Sequence, residues 1–219
     1  TQIIKLYAER QIKSLISLVN ASSKLSFLLL LLISAPLMTE TEYILKLWLV
    51  QVPAWAVAFC QLSIINNWVS IIFRPIVYAI HATGNAKRIS LINGTIYILV
   101  LPLSYVFLKY GASPEVPFIL NIVLLFIGHA LFSMLTLKHY IREYPILSFF
   151  RTAVIPSVII SVASFIPSYF IKLTLDQSFS RFVVNSICTS LIVLITGWMI
   201  MLKKDERVSA ITLIRSKLH

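Results

Sequence analysis

The residues best equipped for chemistry are polar ones stranded in an apolar run. Gln61, Ser63, Asn67, Ser70 and Arg74 lie between Val52 and Ile80, where most side chains are apolar. At 3.6 residues per turn they are expected within one sector of about 100°, a face that should avoid lipid. Arg74 is the sharpest candidate. A charge inside a bilayer costs about 2.5–3.5 kcal/mol on insertion scales, so an intramembrane arginine points to a functional contact. Its planar guanidinium suits an anionic group held by two parallel hydrogen bonds. The competing reading is that Arg74 sits a few residues from the membrane surface and reaches back to lipid phosphates. Arg74, Asn67, Gln61 and Ser70 are the candidate substrate contacts. Pro75, beside the arginine, removes a helical hydrogen bond, and it and Gly84 are the hinge candidates.

Other chemistry is thin. His129 stands alone in an apolar run, and a neutral histidine packed between helices accounts for it. Cys60 and Cys188 also lie in apolar runs, with no metal-ligand spacing around them, and read as small buried hydrophobes. No HExxH, P-loop, GxGxxG, Ser–His–Asp or paired-carboxylate pattern occurs, so neither enzyme activity, nor a cofactor, nor a metal is expected. Asn20-Ala-Ser and Asn93-Gly-Thr match the glycosylation pattern only by chance, one on a basic segment and one inside a span.

The elements that must position Arg74 follow from composition. Of 219 residues, 58% are apolar and 12% charged, and mean hydropathy is +0.89. A soluble domain has about 45–50% apolar and 25% charged residues. A soluble enzyme, a disordered chain and a disulfide-stapled secreted module are excluded. The expected class is an all-α integral membrane protein. A crossing helix needs about 20 apolar residues. Windows 89–108, 116–137, 152–171 and 182–202 meet this without a charge, and 52–80 does so but for Arg74. A sixth span covers 16–39, with Lys24 expected to snorkel. Residues 3–19 form an amphipathic stretch within a leading segment 1–24, and 43–52 resemble a second interfacial piece.

Charge then sets orientation. The net charge is +11, which in a soluble protein would suggest nucleic acid. Here segments 1–24, 81–88, 138–151 and 203–219 hold 14 Lys/Arg, against 4 in the alternate loops. The basic bias of short loops places both ends, including the tail 203–219, in the cytoplasm. No nucleic-acid partner is expected, and membrane lipids are the surroundings. The chain starts without an initiator Met and reads as a piece of something longer.

Three sequence elements carry a likeness to a known family. They are LWLxxxP at Leu47–Pro53, PxxxAIxATGNxK at Pro75–Lys87, and LPLSY followed by LKYGxxP across Leu101–Pro114. With them, the chain resembles the bacterial polysaccharide (O-antigen and capsule) flippase family of the MATE-like exporter superfamily. The likeness runs along essentially the whole chain and is most specific over 47–114. Residues 152–171 and 182–202 match the last two helices only in position and hydrophobicity. The resemblance implies the C-terminal six helices of a two-lobe carrier with about fourteen. It also implies a bacterial inner-membrane location and a missing N-terminal half as partner. The implied substrate is an undecaprenyl-pyrophosphate-linked oligosaccharide, passed between leaflets alongside polysaccharide assembly machinery. Arg74 has no assigned place in the family motif. A multidrug exporter of the same superfamily and a polytopic membrane enzyme of glycan assembly are the alternatives.

Overall fold

In a computed structural model that describes residues 2–201, the chain is a bundle of helices, with no strand among the described residues. Eight helices follow in order: α1 (Gln2–Ala8), α2 (Ile12–Thr39), α3 (Thr41–Trp48), α4 (Ala56–Ala82), α5 (Ala86–Lys109), α6 (Val116–Tyr140), α7 (Ile146–Thr174) and α8 (Phe179–Met201). Six of them, all but α1 and α3, are long and apolar enough to cross a membrane. This is a multi-pass membrane protein. The expected basic tail 203–219 lies outside the described residues.

Helix α2 is the centre of the bundle. Its faces are Leu15, Val19, Phe27, Leu31 and Ala35, all nearly or fully buried. On one side it meets α4, where Trp68 packs edge-on against Phe27 at 6.5 Å and donates its indole N–H to Ser34 Oγ at 2.6 Å. On the other it meets the α7–α8 hairpin, where Ser190 Oγ donates to the Leu32 carbonyl at 3.3 Å. Gly197 lets α8 approach closely: a Cβ there would lie 2.8 Å from Leu28 Cδ2. Small residues serve such contacts between membrane helices, where dispersion rather than hydrophobic exclusion drives association. The α5–α6 pair leans on α4 through Phe59–Phe118, stacked at 4.8 Å, and Asn66–Asn121, bonded at 3.2 Å. Helix α5 reaches the bundle mainly through α6 and leaves most of its apolar surface exposed, Tyr97, Leu101 and Tyr105 included.

Several local features depart from the expected pattern. The amphipathic stretch 3–19 is not one helix. It breaks between α1 and α2 at Arg10, whose φ of 55° is left-handed. Lys24 does not snorkel: it is 2% exposed, and its ammonium donates to the Met201 carbonyl at 3.2 Å. The segment expected as a loop over 138–151 is mostly helical, reduced to a connection over 141–145. The reason is apolar: Ile141, Tyr144 and Phe149 are buried and draw the connection onto the bundle. Three single-turn stretches of wider π-helix interrupt the long helices, at Gly128–Ser133, Phe150–Val154 and Gly197–Met201. Such bulges are frequent at functional sites.

Candidate functional site

Arg74 lines a cleft of about 210 Å³ between α4, α5 and α6. It shares the cleft with Ser70 and Tyr78 from its own helix, Asn93 and Tyr97 from α5, and His129 from α6. The arginine sits eight residues before the end of α4 at Ala82, about 12 Å along the axis. Its side chain is exposed, and among the described residues no hydrogen bond or ion pair engages it. Asn93 Oδ1, in contrast, is buried and has no hydrogen-bond partner. His129 is 5% exposed, stacks on Phe73 at 5.6 Å and shares a hydrogen bond with Ser133 Oγ at 3.0 Å. It lies within the π-helical turn of α6 and forms the cleft's back wall. One cation, several hydroxyls and an orphaned amide oxygen can hold a polyhydroxylated anion: the guanidinium takes oxyanions, and the amide oxygen accepts from a hydroxyl.

The structure brings together only part of the polar face expected on α4. Ser70 and Arg74 share the cleft. Asn67 is exposed, and its amide donates to the Ser63 carbonyl one turn back, at 2.9 Å. Gln61 does not belong to the face. Nine residues before Ser70, it lies about 180° around the helix, not within the same sector. There it meets α2, donating to the Met38 carbonyl at 3.1 Å. Gln61 is a tie between helices. Pro75 is buried inside α4, whose helix continues through it. Lacking an N–H, it cannot bond the Ile71 carbonyl. Gly84 ends α4 with φ of 80°, a left-handed C-terminal residue whose N–H meets the His81 carbonyl at 3.0 Å.

A second polar centre, missed in the sequence, lies at the opposite end of the bundle from Ala82. Glu40, at the junction of α2 and α3, is 2% exposed, and Arg181 of α8 is 7% exposed. Their side chains meet at 2.8 Å. Asn185, fully buried one turn along α8, donates to the other Glu40 oxygen at 2.9 Å and accepts from Ser168 of α7 at 2.6 Å. Arg181 also donates to the Leu175 carbonyl at 3.3 Å, and Lys172 donates to the Thr39 carbonyl. Ser178 caps the start of α8 by accepting the Arg181 N–H at 3.2 Å. Four helices, α2, α3, α7 and α8, are thus clasped at one point. In the sequence Glu40 and Arg181 read as ordinary loop charges. The signal that could have found them is Asn185, a polar residue deep in an apolar run.

Cys60 and Cys188 are free thiols, each half-buried. Among the described residues no three His, Cys, Asp or Glu side chains converge as a metal site. No protein-family model, curated protein or solved structure matches the chain.

Proposed function

We propose that the chain is part of a carrier that moves a lipid-linked, pyrophosphate-bearing oligosaccharide across the bacterial inner membrane for surface polysaccharide synthesis. In this reading both ends are cytoplasmic, and the six helices are the C-terminal part of a two-lobe, roughly fourteen-helix flippase whose N-terminal half completes the transport path. The observation that carries it is Arg74. A guanidinium with no partner among the described residues lines a polar cleft two turns inside a membrane-length helix. Retaining such a charge at a cost of about 2.5–3.5 kcal/mol calls for a compensating ligand, and a pyrophosphate supplies it. The other lining groups suit the sugar: Asn93 Oδ1 accepts a hydroxyl, and the half-exposed rings of Tyr78 and Tyr97 offer faces to a pyranose. The sequence resemblance supports the same class. A cationic cleft fits an anionic cargo better than the cationic drugs a multidrug exporter would carry.

The test is made in the full-length protein, by restoration of surface polysaccharide in a flippase-deficient strain. Arg74→Ala is expected to abolish restoration while changing thermal stability by no more than about 0.5 kcal/mol, as for surface substitutions without structural partners. Arg74→Lys should restore partly, because an ammonium keeps the charge and loses the two-pronged geometry. Normal restoration by Arg74→Ala at equal protein level would remove the cleft from the mechanism.

A further inference from the structure

An apolar groove of about 250 Å³ runs between α5 and α6, apart from the Arg74 cleft. Leu91, Thr95 and Leu99 of α5 form one wall, and Leu124, Ile127 and Phe132 of α6 the other. None of these residues lines the cleft. Tyr97, which does, lies about 160° round α5 from both Thr95 and Leu99. The floor is Gly128 against Ile96: a Cβ on the glycine would lie 2.3 Å from Ile96 Cδ1, so the missing side chain lets the helices close there. The Thr95 hydroxyl is the one polar side-chain group among the described lining residues.

A charge stands at one end of this groove. Arg88, Leu91, Thr95 and Leu99 follow one another at intervals of three, four and four residues, which sets them within about 80° of one face of α5. Arg88 is therefore in line with the groove, about 4.5 Å beyond Leu91 along the axis, with Lys87 beside it. Both side chains are exposed, and neither has a hydrogen bond or ion pair among the described residues. They occupy the first turn of α5, where the helix dipole favours anions and disfavours cations. Asn85 does not cap that turn, since its amide is given to the Tyr140 hydroxyl. Two unpaired cations at a positive helix end are a mismatch that a bound anion removes.

The lengths fit one lipid. From Leu91 to Leu99 the helix rises about 12 Å, and the hydrocarbon of one leaflet is about 15 Å deep. The groove thus covers most of one leaflet, and the cations lie beyond its end on the side of Ala86, toward the headgroups. A chain lying in it gains dispersion contacts with both walls, which is what holds apolar groups together inside a bilayer. We propose that the groove seats one acyl chain of an anionic phospholipid, whose phosphate rests on Arg88 and Lys87. A zwitterionic headgroup brings a cation of its own to the same place and is held less well. This does not depend on the transport reading.

The experiment reconstitutes the purified full-length protein in phosphatidylcholine bilayers holding a trace of phosphatidylglycerol with a diazirine on one acyl chain. Cross-links are mapped after photolysis. Labelling is expected at residues 91–99 and 124–132, displaced by unlabelled phosphatidylglycerol and not by further phosphatidylcholine. Lys87→Gln combined with Arg88→Gln should lower it at least about tenfold, since one charge-assisted hydrogen bond is worth that much. Thr95→Phe fills the groove with a ring and should lower labelling with both cations still in place. All three positions are exposed, so Tm should not change, which separates lost binding from lost folding. Labelling spread evenly over all six long helices, equal displacement by phosphatidylcholine, or labelling unchanged in both variants would overturn the proposal. Displacement by a polyprenyl phosphate and not by phosphatidylglycerol would also overturn it, giving the groove to an isoprenoid chain.

Discussion

Arg74 and Arg181 are both arginines in membrane-length apolar helices, and the bundle treats them in opposite ways. Arg181 is 7% exposed and held by Glu40, by the Leu175 carbonyl and by its place beside Asn185. Arg74 is exposed in a cleft and unengaged among the described residues. A buried charge can be carried when its partner is buried with it, but the pair then serves the fold and is not available to a ligand. A charge left open at membrane depth has no such structural return. The difference separates a clasp from a candidate site, and it can be broken experimentally at three strengths.

The largest effect should come from the clasp. Glu40→Ala leaves the Arg181 guanidinium buried without its carboxylate, and removing one member of a buried pair costs about 3–5 kcal/mol. Thermal unfolding in detergent should show that loss. Replacing both partners, Glu40→Met with Arg181→Leu, should recover most of it, because apolar side chains of similar volume need no counter-charge. A single Glu40→Ala that costs less than about 1 kcal/mol would mean the pair contributes no more than an exposed one. The clasp would then lose its contrast with Arg74.

A middle-sized effect is expected behind the cleft. Gly128 begins the π-helical turn of α6, and a Cβ there would lie 2.3 Å from Ile96 Cδ1 and 2.9 Å from Cγ1. Ile96 is 5% exposed and one turn from Asn93, so it has little room to yield. Gly128→Ala should cost about 1–3 kcal/mol through overpacking. It should also disturb transport by shifting α5 against the cleft. Combined with Ile96→Ala, the same change should cost less than the sum of the two, since the shortened side chain vacates the space. Additive losses would show that Gly128 is needed for something other than its fit against α5.

The contrast between the two arginines was half legible in the sequence. The six long helices were readable because hydropathy over about 20 residues reports on the membrane rather than on any partner. Arg74 stood out for the same reason, as a charge interrupting such a run. Arg181 did not, because a charge at the edge of a span is indistinguishable from a loop charge until Glu40, 141 residues away, is brought to it. Lys24 was hidden likewise: its bond to the Met201 carbonyl joins residues 177 apart in the chain. Gln61 failed differently, since its angle about α4 was computable from the sequence and contradicts the shared face. The cleft itself required knowing that α5 and α6 pack beside α4, a tertiary fact that places Asn93 and His129 next to Ser70 and Arg74.

The smallest effect offers a control two residues from the clasp. Glu42 pairs with Lys46 at 2.6 Å across one turn of α3, but its side chain is 55% exposed where that of Glu40 is 1%. The Lys46 hydrogen bond holds the Glu42 carboxyl below its usual range, against the opposing effect of partial burial. A depressed carboxylate contributes stability that is present above the unfolded pKa, about 4.3 for Glu, and is lost as pH falls through the folded value. Solvent screening keeps the gain small, about 0.3–0.5 kcal/mol for an exposed pair spaced by four residues. Glu42→Gln should therefore lower stability by only that much at pH 7, and not at all at 1 M salt or once the pH has fallen well below the folded value. Glu40→Ala should keep its large cost at high salt, because a buried pair is screened far less. A Glu42→Gln loss above about 1 kcal/mol, insensitive to salt, would place both carboxylates in one buried network and extend the clasp along α3.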